Sequence, residues 1–107
     1  MLFAIARQDK PGMADTRAEL LAAHAEYQKG FMAQITFGGG LLVDGADPAS
    51  FEYTESGIRD VVGNVLIIDV PDRAAAEAFH NNDPYTRGGL FDTVIIAPFL
   101  QRVPPLE

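Results

Sequence analysis

Apolar and polar positions alternate from the start of the chain. Over residues 2 to about 8 they set Phe3, Ile5, Arg7 and the following Asp9 on one face and Leu2, Ala4 and Ala6 on the other, the two-residue period of a strand. Lys10, Pro11 and Gly12 turn the chain. The period then lengthens to that of a helix, opened by a capping box from Thr16 to Glu19 and carrying an apolar stripe of Leu20, Tyr27 and Phe31. His24 falls in register with that stripe, so it is expected to face the sheet. Gly30 places the helix end there or one turn later, near Ala33.

Residues 35 to 43 read as a second strand, interrupted by Gly38, Gly39 and Gly40, which suits a bulge or close approach to bare backbone. The polar, acidic and turn-rich stretch 44 to 59 predicts a long hairpin loop or extended, mobile arm. Residues 61 to 70 and 93 to about 102 are apolar almost throughout and predict the third and fourth strands. Asp72 caps a helix over 73 to about 81. Residues 82 to 91 pack a proline, two glycines and two aromatics into a connection of fixed shape, suited to walling a pocket.

This order folds, by the right-handed crossover rule, into a ferredoxin-like βαββαβ antiparallel sheet with both helices on one face. Strands three and four carry large apolar side chains on both faces. The uncovered face therefore predicts self-association, sheet against sheet, as a dimeric α/β barrel or a higher even oligomer.

At 107 residues the chain is expected to form a single domain, burying roughly 65% of its unfolded surface. Absence of cysteine excludes disulfides, thiolate metal sites and cysteine nucleophiles, and fits a cytoplasmic location. No apolar run approaches a membrane span, and the start lacks a basic stretch ahead of its apolar residues. Fifteen acids against eight bases give a net charge of -7, so nucleic acid is not an expected partner. An anionic small-molecule ligand needs a local cation, for which Arg7, Arg17 and Arg87 are the candidates.

His24 is the histidine expected to point inward, and imidazole is well suited to moving protons near neutral pH. Asp9, ending the first strand, is placed to hold one ring nitrogen and leave the other as a base. The competing structural readings are a satisfied core histidine and a turn-starting aspartate. A helix opening at Thr16 leaves His24 about 12 Å along its axis, so the 10 to 15 loop must rise for the pair to meet. Tyr85 and Phe91 frame a pocket mouth, Asp83 caps the turn at Pro84 or supplies a second carboxylate, and His80 stabilises a helix end. The three glycines do not open a helix and are no phosphate cradle, the serines lack a nucleophile elbow, and the histidines form no metal site.

From Leu2 to about Phe99 the chain resembles the YciI-like (YCII-related) family of small dimeric α/β-barrel proteins. The resemblance rests on Phe3-Ala4-Ile5 leading to Asp9-Lys10-Pro11-Gly12, on Arg17, His24 and Tyr27, on Gly38-Gly39, on Gly63-Asn64-Val65-Leu66-Ile67, and on Asp83-Pro84-Tyr85 with Gly89-Leu90-Phe91. It implies a histidine and aspartate pair, carried here onto His24 and Asp9, and relatives that include dehydrochlorinase-type and isomerase-type enzymes acting on ring-derived molecules. Leu21 stands in place of a second arginine, Gly40 in place of a proline, and Arg7 where an aromatic or aliphatic residue is commoner. The expectation is a cofactor-free acid-base enzyme performing elimination or isomerisation. Arg7 or Arg17 neutralises a developing anion, Tyr85 and Asp83 contribute to substrate binding, and backbone NH groups near Gly39 add donors. The alternative is a non-catalytic binding or accessory dimer.

Overall fold

The alternation near the N-terminus becomes strand β1, Leu2–Asp9, which buries Phe3, Ile5 and Arg7 and leaves Leu2, Ala4 and Ala6 half-buried on its reverse. The computed structural model describes residues 1–105. Helix α1 spans Ala14–Lys29, β2 Ile35–Leu42, β3 Val61–Asp69, α2 Arg73–Asn81, α3 Pro84–Arg87 and β4 Phe91–Pro98. The strands form one antiparallel sheet in the order β2-β3-β1-β4 with the helices on one face, the ferredoxin-like α+β arrangement.

The core lies between the sheet and α2, where Phe3, Ile5, Leu66, Ile68 and Phe79 pack together. Each such side chain contributes about 1.5–3 kcal/mol by leaving water. Asp72 caps α2 as its sequence requires, its carboxylate accepting from the Ala75 amide at 2.9 Å. Helix α1 joins this core at its C-terminal end, through Tyr27 and Phe31. Phe31 meets Phe79 edge to face at 4.9 Å, and the Tyr27 hydroxyl donates to the Phe79 carbonyl.

Further toward its N-terminus α1 buries two residues, Arg17 and His24. They lie seven positions apart, close to two turns, so they share a face about 10.5 Å apart along the axis. The helix starts two residues earlier than its capping pattern suggests. Met13 stands at the N-cap without a side-chain bond, so the Thr16 box is not used. Strand β4 also starts and ends early, at Phe91 and Pro98 rather than near 93 and 102. Pro98 lacks an NH, and the Phe99 amide makes a last backbone bond to Leu2.

The 44 to 59 connection holds two 3₁₀ turns, Pro48–Ser50 and Gly57–Asp60. The second turn buries Ile58 and packs against α1, where Arg59 pairs with Asp15. On the sheet face opposite the helices, Phe37, Leu41 and Ile95 remain 59%, 42% and 56% exposed in the single chain. Among the described residues no helix is long and apolar enough to cross a membrane.

Candidate active site

Asp83 sits between α2 and α3 and is wholly buried. It performs both roles expected of it as alternatives: Oδ1 accepts from the Tyr85 amide at 3.0 Å, fixing the turn at Pro84, and also meets Nδ1 of His24 at 2.8 Å. Its other oxygen lies 3.0 Å from Nη1 of buried Arg7. That contact is an ion pair rather than an aligned hydrogen bond, since neither Asp83 Oδ2 nor Arg7 Nη2 completes a hydrogen bond among the described residues. Arg7 also donates from Nε to Asn64 at 2.9 Å and from Nη1 to Nδ1 of His80 at 3.2 Å, with its guanidinium 4.4 Å over the Phe91 ring.

Asp9 is engaged elsewhere. Arg17 holds both its oxygens in a fork, Nε and Nη2 each at 2.7 Å. The expected His24–Asp9 pair is therefore replaced by two separate pairs, Arg17–Asp9 and His24–Asp83. The cause is helical geometry: with α1 opening at Ala14, the residue one turn in is Arg17, whose long side chain reaches the end of β1. His24, two turns further, lies over the 83–85 turn instead. Tyr85 joins the two pairs, its ring stacked on His24 at 4.0 Å and 11° while the Arg17 guanidinium lies 4.6 Å from the centroid of the same ring.

Between α1 and strands β2 and β3 lies a cavity of about 600 Å³, within the range of small-molecule sites. Its polar wall includes Arg17, His24, Tyr85 and Asn64, and Leu21, Ile58 and Leu66 supply apolar surface. Gly38 and Gly40, in register with the inner face, leave the β2 wall bare, and Gly39 between them lines the cavity with backbone. At Gly38 a Cβ would lie 2.3 Å from Leu66 Cδ2, so a side chain there requires Leu66 to shift. The His24 ring nitrogen that Asp83 does not hold, Nε2, has no hydrogen-bond partner among the described residues, and the ring lines the cavity.

Residues 1–100 match the YCII-related domain. The chain belongs to the YCII-related family. The proteins named YciI from Escherichia coli O6:H1 and from Shigella flexneri are each 25% identical to it over 99 residues, covering 92% of this chain and 96% of theirs. Among solved structures, 5-chloro-2-hydroxyhydroquinone dehydrochlorinase from Burkholderia phenoliruptrix, in complex with 2,5-dihydroxybenzoquinone, matches with a TM-score of 0.81 and 32% identity over 94% of both chains.

In this YCII-related chain the electrostatics divide the cluster in two. Burial pushes the Asp83 carboxyl up, but the hydrogen bond from His24 and the charge of Arg7 outweigh it, so Asp83 is held below the ordinary carboxylate range. Burial pulls Arg7 down, only partly offset by Asp83. For Arg17 burial also opposes the charge, yet the paired Asp9 more than compensates and raises it. The Tyr85 phenol is raised by burial, against the pull of Arg17. His80 is lowered by burial and by Arg7, so the helix-end cation expected at this position is instead a buried ring accepting from Arg7.

Arg7 and Asp83, expected to touch substrate, are sealed behind His24 and Tyr85 and do not line the cavity. Arg17, Gly39, Tyr85 and His24 do line it, while Asp9 stands behind Arg17. Two contributors have no site role in the sequence alone, where His80 reads as a helix-end cation and Asn64 as part of the third strand. Asn64 had a signal, being a polar residue inside an otherwise apolar strand. His80 had none, because its partners come from β1 and α3.

Proposed function

We propose that the chain is a cofactor-free acid-base enzyme that eliminates or isomerises small, planar, oxygen-bearing ring compounds, with His24 as the base and Asp83 as its orienting carboxylate. One observation carries this reading: a cavity-lining imidazole is bound through Nδ1 to a buried, ionised carboxylate, which leaves Nε2 for a ligand. Likeness to a dehydrochlorinase over 94% of both chains supports the reaction class.

In this reading Nε2 takes a proton from the substrate, the freed electron pair moves into the ring system, and a leaving group departs with its bonding pair from a neighbouring carbon. In isomerisation the same nitrogen returns the proton to a different atom. Negative charge developing on a ring oxygen is stabilised by Arg17, which Asp9 holds in place, and the stacked Tyr85 restricts the ring plane of His24. The exposed apolar face of the sheet supports self-association of two chains through that face.

The test uses 5-chloro-2-hydroxyhydroquinone, with chloride release followed in time. Wild-type protein is expected to release chloride. His24→Ala should reduce the rate by about 100- to 10,000-fold while its melting temperature stays within a few degrees. Arg17→Met should weaken binding of 2,5-dihydroxybenzoquinone by roughly 10- to 100-fold. Turnover that survives His24→Ala would remove the histidine from the chemistry.

A further inference from the structure

We propose that Arg7 is the positioning residue of this site: by closing an ion pair with Asp83 it keeps His24 neutral, with its Nε2 lone pair open to the cavity, and it fixes His80 in the opposite tautomer. The inference rests on the His24–Asp83 reading above and adds a residue that touches neither cavity nor ligand.

Strand β1 turns Phe3, Ile5 and Arg7 to the same inner side, and Arg7 is 1% exposed. An arginine in that register is expensive to bury and is kept only where its charge and donors are used. Here its guanidinium meets three side chains from distant parts of the chain, donating to Asn64 of β3 and His80 of α2 and closing an ion pair with Asp83 before α3.

The proton positions follow from donor and acceptor chemistry. Arginine has donors only, so the His80 Nδ1 that faces Arg7 is an acceptor and the His80 proton resides on Nε2. Thr86 Oγ1, 3.3 Å from the same nitrogen, is consistent with a second donor there. Ionised Asp83 accepts only, so His24 carries its proton on Nδ1. One buried ion pair thereby sets two rings to opposite tautomers.

The charge count gives the consequence. Arg7 and Asp83 cancel, so the hydrogen bond from His24 needs no positive charge on the imidazole. Without Arg7 the carboxylate is uncompensated in a buried setting, and the group placed to neutralise it is His24, which gains a proton and loses its lone pair. The other charged and titratable neighbours cannot substitute. Arg17 is committed to Asp9, Tyr85 is stacked between Arg17 and His24, the Tyr27 hydroxyl donates to Phe79, and the His80 ring nitrogen facing this cluster meets Arg7 and Thr86 rather than the Asp83 carboxylate.

Two-bond ¹H–¹⁵N NMR of the uniformly ¹⁵N-labelled full chain tests this directly. The chain has two histidines, assigned by His24→Gln and His80→Gln. The wild-type spectrum is expected to show His24 protonated on Nδ1 and His80 on Nε2. Arg7→Met should show both His24 ring nitrogens protonated at a pH where the wild type shows one, and Arg7→Lys, which keeps the charge, should restore the wild-type His24 pattern. A wild-type His80 protonated on Nδ1 overturns the proposal, as does an Arg7→Met protein whose His24 pattern is unchanged. Should Arg7→Met fail to fold, the wild-type tautomers and Arg7→Lys decide. Asp83→Asn separates the two readings. A His24 pattern indifferent to Asp83→Asn removes the His24–Asp83 pair itself, whereas one that responds to Asp83→Asn and not to Arg7→Met removes only the role of Arg7.

Discussion

Arg7, Arg17, His24, His80 and Asp83 are each less than a tenth exposed, and every one has a charged side chain within hydrogen-bonding distance. Burying such groups costs more than burying aliphatic ones, so their joint presence points to use rather than to stability. Their ionisation nevertheless ties folding to pH. Asp83 is more acidic in the fold than in the unfolded chain. Its ionisation therefore stabilises the fold above the unfolded value of about 3.9, and that contribution is lost as pH falls through the lower folded value. His80 is less basic in the fold. Between its lowered folded value and about 6.5 the unfolded chain binds more protons, and stability falls there as pH drops. Melting temperatures measured from pH 7 to pH 2 should thus decline in two limbs, the upper one shallower in His80→Gln and the lower one shallower in Asp83→Asn. A lower limb of unchanged steepness in Asp83→Asn contradicts the assignment.

Helix α1 and strand β2 are unlike the other elements because they face each other across a cavity instead of a filled core. What keeps the space open is the chemistry of both walls: α1 buries two polar residues against the Asp9 and Asp83 carboxylates, and β2 presents glycine where other strands present side chains. Position along β2 decides what a methyl group does. Gly38→Ala puts a Cβ 2.3 Å from Leu66 Cδ2 and 3.0 Å from the Val65 carbonyl oxygen, while Gly39→Ala meets no atom within 4 Å. Gly38→Ala should therefore cost about 1–3 kcal/mol, which lowers the melting temperature by roughly 4–8 °C per kcal/mol in a domain of this size. Gly39→Ala should stay within about 0.5 kcal/mol of wild type. Equal melting temperatures for the two variants would show that Leu66 gives way without cost.

For the molecule as a whole the unresolved balance lies on the outer face of the sheet. Helices cover one face, and on the other Phe37, Leu41 and Ile95 leave large apolar surface in water in a single chain. The small residues Ala4, Ala6 and Gly39 share that face and allow a second sheet to approach closely. Multi-angle light scattering at micromolar concentration is expected to give twice the mass of the chain, and Ile95→Lys is expected to shift it toward a single chain. A monomeric wild-type mass would contradict self-association.

The order of elements, the single sheet, the Asp72 cap and the inward direction of His24 were legible in the chain because each is set by neighbours a few residues apart, through periodicity, turn residues or local hydrogen bonds. Helix and strand ends slipped by two to four residues, as at Met13 and Pro98, because backbone pairing overrode local signals there. The partner of His24 was decided by tertiary structure alone. Asp9 is close in sequence, but the residue eight positions on that claims it is Arg17, while His24 finds Asp83 across 59 residues. Which carboxylate meets which cation depends on where two helix turns arrive over a sheet and a distant turn. No local pattern encodes that distance, whereas packing α1 onto the 83–85 turn fixes it.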